Sequence, residues 1–236
     1  MIRTIQYAAL LFICLMAGTV SKAQTADDVV KKYLDAIGGE TNWKKVNSIK
    51  MIGVIKANGA EIQNNTTIAK GKGLRQDWSI NGMSGYTIIT EKAGWSYNPM
   101  QGTKVEALTA DQVKLYASQL DVEGVLVDYK TKGHTLEYLG KDDVEGTECY
   151  KVKATLKSGV QQTMYFDASS YYMIRNSQKV TVDGKEQEFA INFSNFKKLP
   201  DGIVMPMNVG LGMGEIALSA IEVNKPVDDK IFKPNN

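Results

Sequence analysis

The side chains able to do chemistry in this 236-residue sequence are few, and their spacing keeps them apart. His134 is the only histidine, so no metal site with two histidine ligands and no relay between histidines can be assembled. It follows the turn signal "TKG" at the start of a predicted strand and reads as a surface residue. Cys149 lies in the alternating stretch "CYKVKATLK", away from any helix start that would hold a thiolate, and reads as a packed bystander. Asp142-Asp143 and Asp228-Asp229 are adjacent pairs in Lys-containing, turn-like segments. Neighbours on a strand point to opposite faces, so neither pair converges on one reacting atom. "GLGMGE" (Gly210 to Glu215) has the glycines of a phosphate loop but lies between two strands with no helix start behind it, which makes it a hairpin turn. No Walker loop, nucleophile elbow or zinc spacing occurs. The expectation is a protein that is not an enzyme and uses no cofactor or metal.

The ends of the chain and its charge narrow the class further. "MIRTIQYAALLFICLMAGTVSKAQ" has a cationic start at Arg3, an apolar run from Tyr7 to Ala17, and small residues at Ser21 and Ala23. It reads as a secretory signal peptide over residues 1–23, cut after Ala23, and the run is too short for a comfortable membrane span. Cys14 is not read as a lipidation site, because Ile13 stands where a lipobox needs a small residue. Removal of this segment takes Arg3 and Lys22 and no acids, leaving 28 less 2, or 26, basic residues against 26 acidic ones. A neutral chain of interspersed signs offers no basic field for nucleic acid and no polybasic membrane patch. Residues 24–236 suit a single domain. With Cys14 gone, Cys149 has no partner for an internal disulfide.

The elements follow from the hydrophobic period. "TADDVVKKYLDAIGG" carries a cap at Thr25, acids in its first turn, and a stripe of Val30, Tyr33, Leu34 and Ile37 before the Gly38-Gly39 stop. "ETNWKKV" adds a further helical turn anchored by Trp43. From Ser48 the period becomes two, with Ile49, Met51, Ile55 and Ala57 on one face. Short strands divided by Gly and Asn turns then form an antiparallel meander of about five strands. "LTADQVKLYASQLD" interrupts it with a capping pattern at Thr109 and Gln112 and a stripe of Val113, Tyr116, Ala117 and Leu120. The next segment, "VEGVLVDYKTKG", reads equally as helix or loop. About seven strands follow from His134, and the tail "KPVDDKIFKPNN" offers Ile231 and Phe232 as a docking point.

A mainly β (α+β) fold results, an incomplete antiparallel β-barrel of about 11–12 strands with a helical lid. A sheet this wide curls under its own twist. Around eight strands already leave room inside for a ligand. Two amphipathic helices cover such a mouth without having to fill it. Met51, Met83, Met100, Met164, Met173, Met205, Met207 and Met213 supply adaptable apolar surface, as core or as pocket lining. Trp78, Trp95 and Tyr97 are candidates for an aromatic lining and are equally ordinary strand residues.

"KKYLDAIGGETNWKKVNSIKMIGVI", "ECYKVKATLKSGVQQTMYFDASSYYMIRN", "FSNFKKLPDGIVMPMNVG" and "IEVNKPVDDKIFKP" together resemble the periplasmic outer-membrane lipoprotein-sorting proteins of Bacteroidota-type bacteria. These are similar in plan to the lipoprotein carrier LolA. The resemblance spans the chain beyond the signal, and it implies a periplasmic binder or carrier of a hydrophobic ligand, with a role in lipoprotein or lipid transport to the outer membrane. Its partners would be the acyl chains of a lipoprotein or another lipid-like ligand, and an envelope protein. The lid residues expected at the ligand are Val30, Leu34, Ile37, Val113, Tyr116 and Leu120; the strand residues are Met51, Ile55, Val152, Leu156, Met164 and Phe166. The alternative is a non-catalytic envelope interaction module with a filled barrel, and a hydrolase is the third reading.

Overall fold

The computed structural model describes residues 24–57, 59–182, 185–212 and 214–234. The signal peptide expected over residues 1–23, and Met213 among the methionines, lie outside them. Helix α1 (Ala26–Ala36) opens on a reciprocal cap. Thr25 Oγ1 accepts from the Asp28 amide at 3.1 Å, and the Asp28 carboxylate accepts from the Thr25 amide at 3.1 Å. The helix ends against the sheet. A Cβ at Gly38 (φ +107°) would stand 2.3 Å from the Gly202 carbonyl oxygen, so only glycine allows this approach. The Ile37 carbonyl, orphaned at the helix end, accepts from Val204 N at 2.8 Å and from Trp43 Nε1 at 3.0 Å. Trp43 closes the short helix α2 (Glu40–Trp43) and is buried.

Among the described residues, thirteen strands form one antiparallel sheet. The first meander is β1 (Ser48–Ala57), β2 (Ala60–Ala69), β3 (Gly73–Ile80), β4 (Met83–Ile89), β5 (Gly94–Tyr97) and β6 (Glu106–Ala107). The second is β7 (Thr135–Val144), β8 (Thr147–Thr155), β9 (Gln161–Asp167), β10 (Met173–Val182), β11 (Lys185–Lys198), β12 (Val204–Gly210) and β13 (Glu215–Val223). Antiparallel pairing of β1 with β13 fuses the two, giving the order β6-β5-β4-β3-β2-β1-β13-β12-β11-β10-β9-β8-β7. The edges β6 and β7 do not pair, so the barrel stays open. The strand beyond the expected number is the two-residue β6, too short to show alternation.

Residues 108–134 connect the two unpaired edges. They hold α3 (Ala110–Tyr116), a 3₁₀ turn (Ala117–Leu120) and the turns of 121–134, which settle the ambiguity of "VEGVLVDYKTKG" in favour of loop. The capping pattern is made: Thr109 N donates to Gln112 Oε1 at 2.8 Å, and Gln112 N donates to Thr109 Oγ1 at 3.3 Å. Tightening to three residues per turn rotates Leu120 by roughly 80° from its α-helical place on the stripe.

Helix α1 lies on the concave face against β7–β9, its Tyr33 ring meeting Phe166 edge-on at 5.1 Å. There Val29, Val30, Leu34 and Ile37 pack with Val152, Ala154, Met164 and Phe166 in one buried cluster. A second cluster forms on the convex face, where Phe232 of the tail packs with Ala69, Tyr86 and Ile88. Arg75 holds the tail there, donating to the Ile231 carbonyl at 3.0 Å while stacking over the Tyr86 ring. Phe166 is wholly buried. Phe166→Ala is expected to cost about 3–5 kcal/mol in urea unfolding; a loss below about 1 kcal/mol would show that this cluster is not the stabilising core.

Candidate functional site

In an antiparallel sheet, directly opposed residues share a face. On β1 the residues Ile49, Met51, Gly53 and Ile55 share the face that carries the α1 cluster, since Ile49 belongs to that cluster and Met51 packs against it. Ile55 stands about 13 Å further along the strand than Met51. It is opposed by Ile62 on one side and Ile216 on the other; Ile216 is opposed by Val209, and Val209 by Phe193. Five adjacent strands thus present a continuous apolar row at the end of the concave face remote from α1. Every member of the row is only half-buried, and none belongs to a buried cluster. Beyond it, Met83, Phe189 and Leu211 are exposed on the strands and turns of that rim.

Helix α3 reaches the concave face from the other edge. A Cβ at Gly94 would meet Ile89 Cδ1 at 3.0 Å, Leu108 Cδ1 at 3.0 Å and Val113 Cγ2 at 3.1 Å, so Val113 seats α3 on β4 and β5. The other flank of α3 borders an open groove of about 960 Å³ whose lining includes Gln112, Ser118, Val125, Leu156, Val160 and Gln178. Its mouth carries Asp111, Lys114, Asp121, Lys132, His134 and Lys157. The 121–134 segment beside it is fixed by Val122, Leu126 and Val127, buried in the α1 cluster, and by an ionic clamp. Lys132 Nζ donates to Asp121 at 2.7 Å and to the Gly124 carbonyl at 2.9 Å, and the buried Glu123 carboxylate takes Lys70 from the β2–β3 turn. On the far side, Lys130 pairs with Asp27 of α1 at 2.6 Å, and Lys44 pairs with Asp128 at 2.7 Å. The Asp27 carboxyl is held below its usual range, chiefly by Lys130 and then by the Tyr129 hydroxyl.

The residues expected at the ligand divide by place. Val30, Leu34, Ile37, Val152, Met164 and Phe166 pack against one another in the buried cluster under α1. Met51 packs on that cluster's margin, and Ile55 lies in the half-buried row. Val113, Tyr116 and Leu120 are half-buried on the lid, and Leu156 lines the groove. Sequence reasoning missed Ile62, Val209, Phe193 and Ile216 in the row, and Val125 and Gln178 in the groove. Periodicity placed each strand's apolar face, but the cross-strand register that unites them has no local signal. Trp78 is on the concave face, lying over Gly85, where a Cβ would come within 2.3 Å of its ring. Trp95 and Tyr97 belong instead to the convex cluster.

The groups able to do chemistry remain dispersed. No three His, Cys, Asp or Glu residues gather into a possible metal site among the described residues. His134 is half-buried rather than a plain surface residue: its Nδ1 accepts from Lys157 N at 3.1 Å, leaving the proton on Nε2. Burial first, then Lys132, lowers its pKa below the usual 6.5, with Asp121 opposing. The fold prefers the neutral ring, so this contribution to stability is complete above pH 6.5 and is lost as pH falls toward the lowered value. In untagged protein the His134 ring resonances are expected to titrate with a midpoint below 6.5; a midpoint above it would overturn this electrostatic account. Cys149 is fully buried, donates to the Thr147 carbonyl at 3.4 Å, and is pushed up to about 11 by burial and then by Asp167, Asp143 and Asp142. Ellman's reagent at pH of about 8 is expected to label it about 100-fold or more slowly in the native than in the unfolded protein. Equal rates would mark a reactive thiol.

Several solved structures share the architecture. A DUF1329 family protein from Desulfovibrio piger matches with a TM-score of 0.56 and 15% identity over 86% of this chain and 97% of its own. A LolA superfamily protein from Nitrosomonas europaea matches with a TM-score of 0.56 and 13% identity over 90% and 99%. The putative outer membrane lipoprotein-sorting protein domain from Vibrio parahaemolyticus matches with a TM-score of 0.53 and 11% identity over 87% and 94%. No protein-family model matches the sequence. No curated protein matches it either. No helix among the described residues is long and apolar enough to cross a membrane. The likeness is one of fold: this chain is built as an incomplete antiparallel barrel with a helical lid, the LolA-like fold seen in lipoprotein-sorting domains.

Proposed function

We propose that this protein is a periplasmic binding or carrier protein for a lipid-like ligand, serving lipoprotein or lipid transport to the outer membrane. The observation that carries this reading is the half-buried row Ile62–Ile55–Ile216–Val209–Phe193 on the same face as the packed cluster. A folded domain that can fill one end of a concave sheet, yet leaves the other end apolar and unfilled, has a surface whose burial awaits a guest. Each CH₂ moved from water onto such a surface is worth about 0.8 kcal/mol, so an acyl chain gains several kcal/mol by lying there. Ile55, Val113, Tyr116, Leu120 and Leu156 are the ligand contacts in this reading. Val30, Leu34, Ile37, Met51, Val152, Met164 and Phe166 form the packed floor beneath them. Release requires a competing conformation or partner, because capture alone would strand the cargo. The lid is the element placed to provide it.

A docking module with a filled barrel is the second reading, and the exposed Met83, Phe189 and Leu211 at the rim favour it. Native mass spectrometry and lipid extraction, on protein purified from its own envelope, separate the two. Acyl species are expected to co-purify. Ile55→Asp is expected to reduce them by about tenfold or more, since a carboxylate there must shed its water. A lipid-free protein that retains a protein partner would establish the module instead, and turnover of an ester panel would establish an enzyme.

A further inference from the structure

Between the packed floor and the apolar rim, the concave wall changes character. Met51 is directly opposed by Thr66, Thr66 by Gln76, Gln76 by Thr87, and Thr87 by Ser96. Asn64, two residues along β2 from Thr66, shares the face and is 2% exposed. A belt of hydroxyl and amide side chains therefore crosses β2–β5. Apolar Leu74 and Ile68 lie on its α1 side, and Ile62 and Ile55 on its rim side. Gln76 Nε2 donates to Asn64 Oδ1 at 2.8 Å, which orients both amides. The row carries no charge until the exposed Glu106 on edge strand β6.

The facing wall repeats the pattern. Gln178 opposes Gln162, which is 7% exposed, and Asn176 donates to Gln162 Oε1 at 3.4 Å. The buried Asn176 Oδ1 finds no donor among the described residues. Buried polar atoms left without partners are costly, and Gln178 also reaches the groove under the lid.

From these two walls we infer that the ligand is a neutral amphiphile. Its uncharged, hydrogen-bonding head, an ester, amide or hydroxyl group, lies between the amide and hydroxyl belts, and its hydrocarbon lies along the Ile62–Phe193 row. The inference rests on the concave face being a ligand site. Neutral donors and acceptors on both walls satisfy such a head, whereas the belts themselves offer an ionised head no counter-charge. The lysines of the groove, Lys114, Lys132 and Lys157, stand on the 108–134 segment and the β8–β9 turn, and Lys132 is already paired with Asp121.

Displacement of the dye N-phenylnaphthylamine by monomyristoylglycerol and by myristate, the latter fully ionised at pH of about 8, tests it. Monomyristoylglycerol is expected to bind at least about tenfold more tightly. The double variant Thr66→Val, Gln76→Leu is expected to lose about tenfold of the monomyristoylglycerol affinity while binding the dye as before. If that variant does not fold, Thr87→Val alone is expected to lose about threefold. Equal affinity for the two lipids, or selectivity unchanged in the variants, would overturn the neutral head while leaving the carrier reading intact. Failure of the wild-type protein to bind dye and both lipids would overturn carrier and head together.

Discussion

Pairing of β1 with β13 is the contact on which the architecture depends. Residues near position 50 form a ladder with residues near position 220, the longest-range pairing in the sheet. Without it the chain would consist of two separate meanders, each with an apolar face too large for one short helix to cover. With it, thirteen strands join in one twisted sheet whose edges β6 and β7 stay unpaired. A β-bulge on β13, opposite Ile52 and Gly53, lets the inner face stay continuous while the ladder bends. Closing so distant a pair costs loop entropy that the completed core must offset.

The open gap between the edges is then a consequence rather than a defect. Residues 108–134 cross it, seated by Val113 on β5 and clamped by Lys132, Asp121 and Glu123. The opposite attachment, through Asp27, Lys130, Lys44 and Asp128, is made largely of exposed charges. Exposed ion pairs contribute about 0–1 kcal/mol each, and the firmer attachment of the 121–134 segment is apolar: Val122, Leu126 and Val127 are buried in the α1 cluster.

The sequence was most informative where local physics dominates. Capping at Thr25 with Asp28 and at Thr109 with Gln112, the two-residue period from Ser48, the hairpin at Gly210–Glu215 and the docking of Phe232 were all legible. So was the setting of Cys149, a packed strand residue that the structure buries. The 3₁₀ tightening after Tyr116, the two-residue β6 and the half-buried setting of His134 were not legible. Each arises from contacts made by other elements.

The candidate site divides along the same line. That Val30, Leu34, Ile37, Val152, Met164 and Phe166 are apolar and face inward follows from periodicity alone; that they fill one end of the barrel follows from α1 docking where the Gly38–Gly202 approach allows it. Ile55 carries the same sequence signal as Met51 and ends in a different place, half-buried on an open row. The alternation of a strand determines which side a residue faces, and the amino-acid sequence supplied that. How deep the residue lies, and whether its neighbours across the sheet are apolar or amide-bearing, depends on register among strands far apart in the chain, and only the tertiary structure decided it.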